Sequence, residues 1–106
     1  METLWIGWTT LDTKDSAEAL ARGLVKARLA ACVQIDGPIQ SVYRWQGAVE
    51  QGAEWRLWVK FPGSKASALE QWLAEQHPYE TPQWVALPAE SVGAAYHAWA
   101  RESTGD

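Results

Sequence analysis

The sequence predicts an α+β fold: a four-stranded antiparallel sheet with helices laid against it. Three observations predict it. Residues 29–61 read as two alternating arms around a reversal at Gln46-Gly47, and alternation marks strands with two unlike faces. Helix-spaced apolar residues occupy 14–28 and the run after Ser64. Short alternating runs at 3–9 and 83–87 place one strand before the first helix and one after the second. The order is β-α-β-β-α-β-α, read as one domain over residues 1–106.

Each element has its own warrant. In strand one, Leu4, Ile6 and Trp8 alternate with Trp5, Gly7 and Thr9. Asp12 or Thr13 can then cap a helix, whose stripe is Ala17, Leu20, Ala21, Leu24, Val25 and Arg28. Glu18, Arg22 and Lys26 are spaced as i,i+4 charge pairs on its other face. The hairpin's outgoing arm must bend at Gly37-Pro38, because proline donates no ladder hydrogen bond. On the return arm Trp55, Leu57, Val59 and Phe61 share one face. Glu54, Arg56, Trp58 and Lys60 share the other. Ser64 is placed to cap helix two, which His77-Pro78 ends. Ser91 is placed to cap helix three, with Val92, Ala95, Tyr96 and Trp99 as its stripe. Residues 102–106 read as a frayed polar tail. The first six elements make the split βαβ order of ferredoxin-like sheets.

Composition narrows the function classes. A formal charge of −4 opposes a protein that tracks nucleic-acid backbones. No apolar run approaches the ~20 residues of a membrane span. Met1-Glu2-Thr3 lacks the basic start of a secretory leader. One cysteine cannot form an intrachain disulfide, which fits a reducing compartment, so the expected location is cytoplasmic. Eight tryptophans in 106 residues imply buried area beyond one small core, and contacts between subunits are one place for it. The hairpin tip, with Tyr43 and Trp45, points the same way, since an exposed aromatic tip invites a partner.

No phosphate loop, nucleophile elbow or Cys-x-x-Cys occurs. Cys32, between Ala31 and Val33, reads as a small packed hydrophobe. The residues that could carry chemistry form a cluster. Glu54 and Lys60 point to the same strand face, and His77, Tyr79 and Glu80 follow helix two. Were that loop to lie beside the hairpin, polar groups would converge among aromatic rings, as in a small-ligand site. A Glu54–Lys60 salt bridge is the plainer reading of the pattern.

Leu29-Ala30-Ala31-Cys32-Val33, Ser41-Val42-Tyr43-Arg44-Trp45-Gln46-Gly47, Glu54, Val59-Lys60 and His77-Pro78-Tyr79-x-x-Pro82 together resemble the CutA (CutA1) family of divalent-cation tolerance proteins. The resemblance spans about residues 3–100. It implies a ferredoxin-like fold with a C-terminal helix. It also implies a homotrimer like the PII signalling proteins, held through the long hairpin. Some members of the family bind copper. Proposed copper ligands in some bacterial members are a cysteine at the end of strand one and paired histidines before Pro-Tyr. Here Trp8 and Gln76 stand at two of those positions, leaving His77. Gln83 and Phe61 replace a usual Glu and Thr.

The reading that follows is a non-enzymatic, cytoplasmic homotrimer. Clefts between its subunits would bind a metal ion of the copper type or a small ligand, with a role in metal tolerance or signalling. No cofactor is certain; a divalent metal such as copper is the one candidate. The expected metal ligand is His77. The expected binding residues are Tyr43, Trp45, Glu54, Lys60 and Tyr79, with Cys32 as packing beneath them. No nucleic acid or membrane partner is expected. The competing readings are a PII-like signalling trimer without metal, a small hydrolase on the same fold, and an RNA-binding sheet. The turn Thr10-Leu11-Asp12-Thr13 has neither the Gly nor the Arg the hydrolase needs, and the acidic charge opposes RNA.

Overall fold

Alternation on the return arm sorts its side chains as expected: Leu57, Val59 and Phe61 are buried, while Arg56, Trp58 and Lys60 are half-exposed on the other face. A computed structural model describes residues 2–105. The expectations for Met1 and Asp106 lie outside them.

The chain forms β1 (Leu4–Leu11), α1 (Lys14–Lys26), β2 (Cys32–Trp45), β3 (Ala48–Pro62), a short 3-10 turn (Gly63–Lys65), α2 (Ala66–Gln76), β4 (Val85–Pro88) and α3 (Ala94–Thr104). The sheet order is β2-β3-β1-β4, antiparallel throughout. Leu57, Val59 and Phe61 meet Ala17, Leu20, Ala21 and Leu24 of α1 and Leu69 and Leu73 of α2 in one core. That core fixes both helices on one sheet face. A smaller cluster of Leu4, Ala31 and Ala100, with Val92 against it, holds α3 at one end of the sheet.

The hairpin register runs from Cys32↔Lys60 to Trp45↔Ala48, with a shift between Asp36 and Ile39. The bend read at Gly37-Pro38 falls at that shift. Its strand is pinned there by Asp36, which takes a two-pronged bond from Arg56 (3.1 and 2.7 Å) and a third from the Trp58 indole (3.2 Å). The reversal places both Gln46 (φ 48°) and Gly47 (φ 82°) in the left-handed region, as a two-residue turn matched to strand twist requires.

Several boundaries differ from expectation. Helix α1 stops at Lys26 because Arg28 turns left-handed (φ 59°) and the Leu29 amide bonds back to the Leu24 carbonyl, a helix-ending motif. Its Glu18 pairs with Lys14 one turn earlier (3.8 Å). Thr13 caps the start, accepting from the Ser16 amide. Ser64 does not cap α2. It sits in the 3-10 turn, where its amide and hydroxyl both bond the Glu2 carboxylate. Helix α3 begins at Ala94, after Gly93 rather than Ser91, since Val92 is already engaged in the smaller cluster. The tail expected to fray is helical to Thr104, which is buried with its hydroxyl on the Ala100 carbonyl.

Candidate functional site

Proline on each side of Tyr79-Glu80-Thr81 keeps helix α2 from continuing, and the chain after it crosses the end of β1. Two side chains, His77 and Tyr79, fasten this crossing. The His77 side chain is buried, with Nε2 3.0 Å from the Thr9 hydroxyl and 3.0 Å from the Thr10 carbonyl. Its Nδ1 accepts from the Tyr79 amide at 3.2 Å. An accepting Nδ1 places the proton on Nε2, which donates to the Thr10 carbonyl. Tyr79 turns its ring edge to the imidazole at 4.8 Å and donates its hydroxyl to Glu54 Oε2 at 2.8 Å. Loop, strand β1 and hairpin are thereby tied together.

In front of this tie lies an open cleft of about 740 Å³. Tyr43, Trp45 and Glu54 line it from the hairpin, Asp12 from the end of β1, and Tyr79 and Glu80 from the loop. Tyr43 and Trp45 are 49% and 40% exposed, so a single chain leaves the cleft wall they form uncovered. Burial, followed by the Glu54 bond and the carboxylates of Glu54 and Asp12, raises the Tyr79 pKa well above a phenol's usual value. Burial likewise pushes the His77 imidazole down, against a smaller upward pull from the Thr10 carbonyl, Glu54 and Asp12.

The structure brings together Tyr43, Trp45, Glu54 and Tyr79, four of the expected binding residues. It separates the fifth. Lys60 donates to Gln34 (2.8 Å) and lies over the Tyr96 ring of α3. Shared parity puts Lys60 and Glu54 on one face, but six residues of strand span about 20 Å. A four-residue loop cannot reach both. Cys32 is cross-strand from Lys60 and half-buried, so it belongs to that far end and not beneath the cleft. His77 stands behind the cleft with both ring nitrogens engaged, where it anchors the loop. Trp8 packs edge-on against Trp58 at 5.3 Å, and Gln76 is exposed at the end of α2. Among the described residues no three His, Cys, Asp or Glu side chains gather as a metal-binding group.

Asp12 and the 81–83 segment were not anticipated in the cleft. Strand pairing holds the signal for Asp12. Leu11 lies opposite Trp55, which brings the next residue of β1 beside Glu54 of β3.

Comparison with known proteins agrees with this architecture. The family of CutA1 divalent ion tolerance proteins matches residues 5–103. The divalent-cation tolerance protein CutA of Thermus thermophilus is 40% identical over 96 residues, covering 91% of this chain and 93% of that one. A CutA homolog of Xenopus laevis is 37% identical over 97 residues, covering 92% of this chain. This chain spans 64% of that relative's length. CutA from Synechococcus elongatus superposes with a TM-score of 0.94 at 41% identity, covering 99% of this chain and 93% of that one. The same cyanobacterial protein is known complexed with Bis-Tris (TM-score 0.88, 40% identity, 97% and 95% covered). On the extent of these matches and the shared fold, the chain belongs to the CutA1 divalent ion tolerance family.

Proposed function

We propose that this protein is a non-enzymatic, cytoplasmic homotrimer whose long hairpins cover one another and whose clefts bind a small ligand, with a role in metal tolerance or signalling. The observation that carries the ligand reading is the cleft of about 740 Å³, walled by the hairpin aromatics and tied at its base by Tyr79 and Glu54. Its volume suits a small organic molecule. The Synechococcus relative is known in complex with Bis-Tris, which supports small-molecule binding in this family. The family is described by tolerance to divalent ions rather than by a reaction. The alternative occupant is a copper-type metal ion on His77. Against it, a metal would have to displace a bond at one of the two engaged imidazole nitrogens, and a lone imidazole makes a weak site. No helix among the described residues is long and apolar enough to cross a membrane.

A thermal-shift screen of small molecules and divalent metal salts, copper included, tests the proposal, together with the solution mass. The expected mass is about 35 kDa, for three chains of 11.8 kDa. At least one small molecule should raise the melting temperature. Thr81→Trp, which adds bulk from an exposed position on the cleft, should abolish that rise without changing the mass. A stabilising copper site lost in His77→Ala, with no small-molecule effect sensitive to Thr81→Trp, would replace this reading with the metal one.

A further inference from the structure

The cleft wall has a one-sided chemistry. It carries three carboxylates, from Asp12, Glu54 and Glu80, and three aromatic rings, from Tyr43, Trp45 and Tyr79. Among the described residues, none that line it is Lys, Arg or His. A cavity with acidic groups and no basic one repels anions and favours a cation. Burial, the Glu54 hydrogen bond and the nearby carboxylates of Glu54 and Asp12 all act to raise the Tyr79 pKa.

The geometry also says which kind of cation. A bare metal ion needs several donors converging at about 2.0–2.6 Å. The three carboxylates do not converge as such a group. They are spread over the end of β1, the middle of β3 and a loop, with aromatic surface among them. Diffuse positive charge on an apolar body is what rings and scattered carboxylates stabilise, because the ring face attracts a cation while the ring area covers its carbon groups. Glu54 is the best-placed counter-charge. Its Oε2 is held by Tyr79, which fixes the carboxylate, and among the described residues no hydrogen bond occupies Oε1.

We propose that the cleft selects organic ammonium cations, with Glu54 as the principal counter-ion and Asp12 as the second. This rests on the cleft being the ligand site.

Three probes of nearly equal shape test the charge alone: choline, its neutral isostere 3,3-dimethylbutan-1-ol, and 3,3-dimethylbutanoate. Calorimetry on the intact protein should show choline binding about tenfold or more tighter than the alcohol, the scale of one buried charge contact, and no binding of the carboxylate. Glu54→Gln keeps an acceptor for Tyr79 but removes the charge, and should weaken choline about fivefold or more while leaving the alcohol unchanged. Asp12→Asn, at an exposed position, should weaken choline in the same direction. Equal binding of choline and the alcohol, preference for the carboxylate, or choline affinity indifferent to both variants would overturn the proposal. The cleft would then select by shape, and its reading as a ligand site would survive. Absence of choline binding also overturns it. If Thr81→Trp is then silent across the broader screen as well, the ligand site itself falls.

Discussion

His77 shows how one side chain can hold a loop. Its two nitrogens join the Tyr79 amide to the Thr10 carbonyl. Donation to Thr10 needs a proton on Nε2, and acceptance from Tyr79 needs Nδ1 bare, so the pair together needs the neutral ring. Protonation would turn Nδ1 from acceptor to donor, facing another donor. Burial lowers its pKa in the folded state, so below about pH 6.5, the unperturbed value, the unfolded chain binds more protons than the folded one. The stability contributed is full above that value, falls as the pH drops towards the lower folded pKa, and stops falling beneath it. Melting curves between pH 8 and pH 5 should show this loss, and His77→Gln should flatten it. A parallel pH dependence in protein and variant would exclude His77 as its source. The residue itself stood out in the sequence, but its role did not. Thr9 and Thr10 lie 68 and 67 positions away, and nothing local distinguishes an anchoring imidazole from a metal ligand.

At the scale of elements, periodicity was a dependable guide where a face is buried and a poor one at ends. Strand β3 obeys its alternation from Trp55 to Phe61. Helix α1 buries Ala17, Leu20, Ala21 and Leu24 of the expected stripe but leaves Val25 exposed. It stops short because Arg28 fits the helical spacing while its backbone turns the other way. Strand β4 begins two residues later than Gln83, since Trp84 leaves the ladder to lie against Phe61 (5.8 Å) and over Gly7. A Cβ at Gly7 would run into the Trp84 ring. Gly7→Ala should therefore cost about 1–3 kcal/mol, the usual range for overpacking. Because Trp84 adjoins the cleft-lining Gln83, the substitution should also disturb ligand binding. An unchanged urea midpoint would show that β1 and Trp84 accommodate the methyl freely. The cleft was partly legible for the same reason as the strands. Tyr43, Trp45 and Glu54 come from one alternating hairpin, whereas Lys60 shared their pattern without sharing their place.

The whole molecule is elongated, 45 × 25 × 22 Å. Residues 42–50 are all exposed, with Val42 at 65% and Val49 at 68%. Two aromatic rings and two valines in water at one tip, beside the outer strand β2, argue for a second copy as their cover, because each large apolar side chain buried contributes about 1.5–3 kcal/mol. Tyr43→Ala/Trp45→Ala should lower the sedimenting mass and the melting temperature together. A wild-type mass of one chain, or a monomeric double variant melting unchanged, would remove the tip from assembly. The same extended arm is also a lever. Its outer seven residues reach about 23 Å past the pinned bend at Asp36. A swing of about 5° there would carry the tip by about 2 Å. Tyr43 and Trp45 ride on the moving end, while Tyr79 and Glu54 stay with the fulcrum. The width of the cleft is thus set by the angle of the arm, and whatever clasps the tip also sets the gape of the jaw.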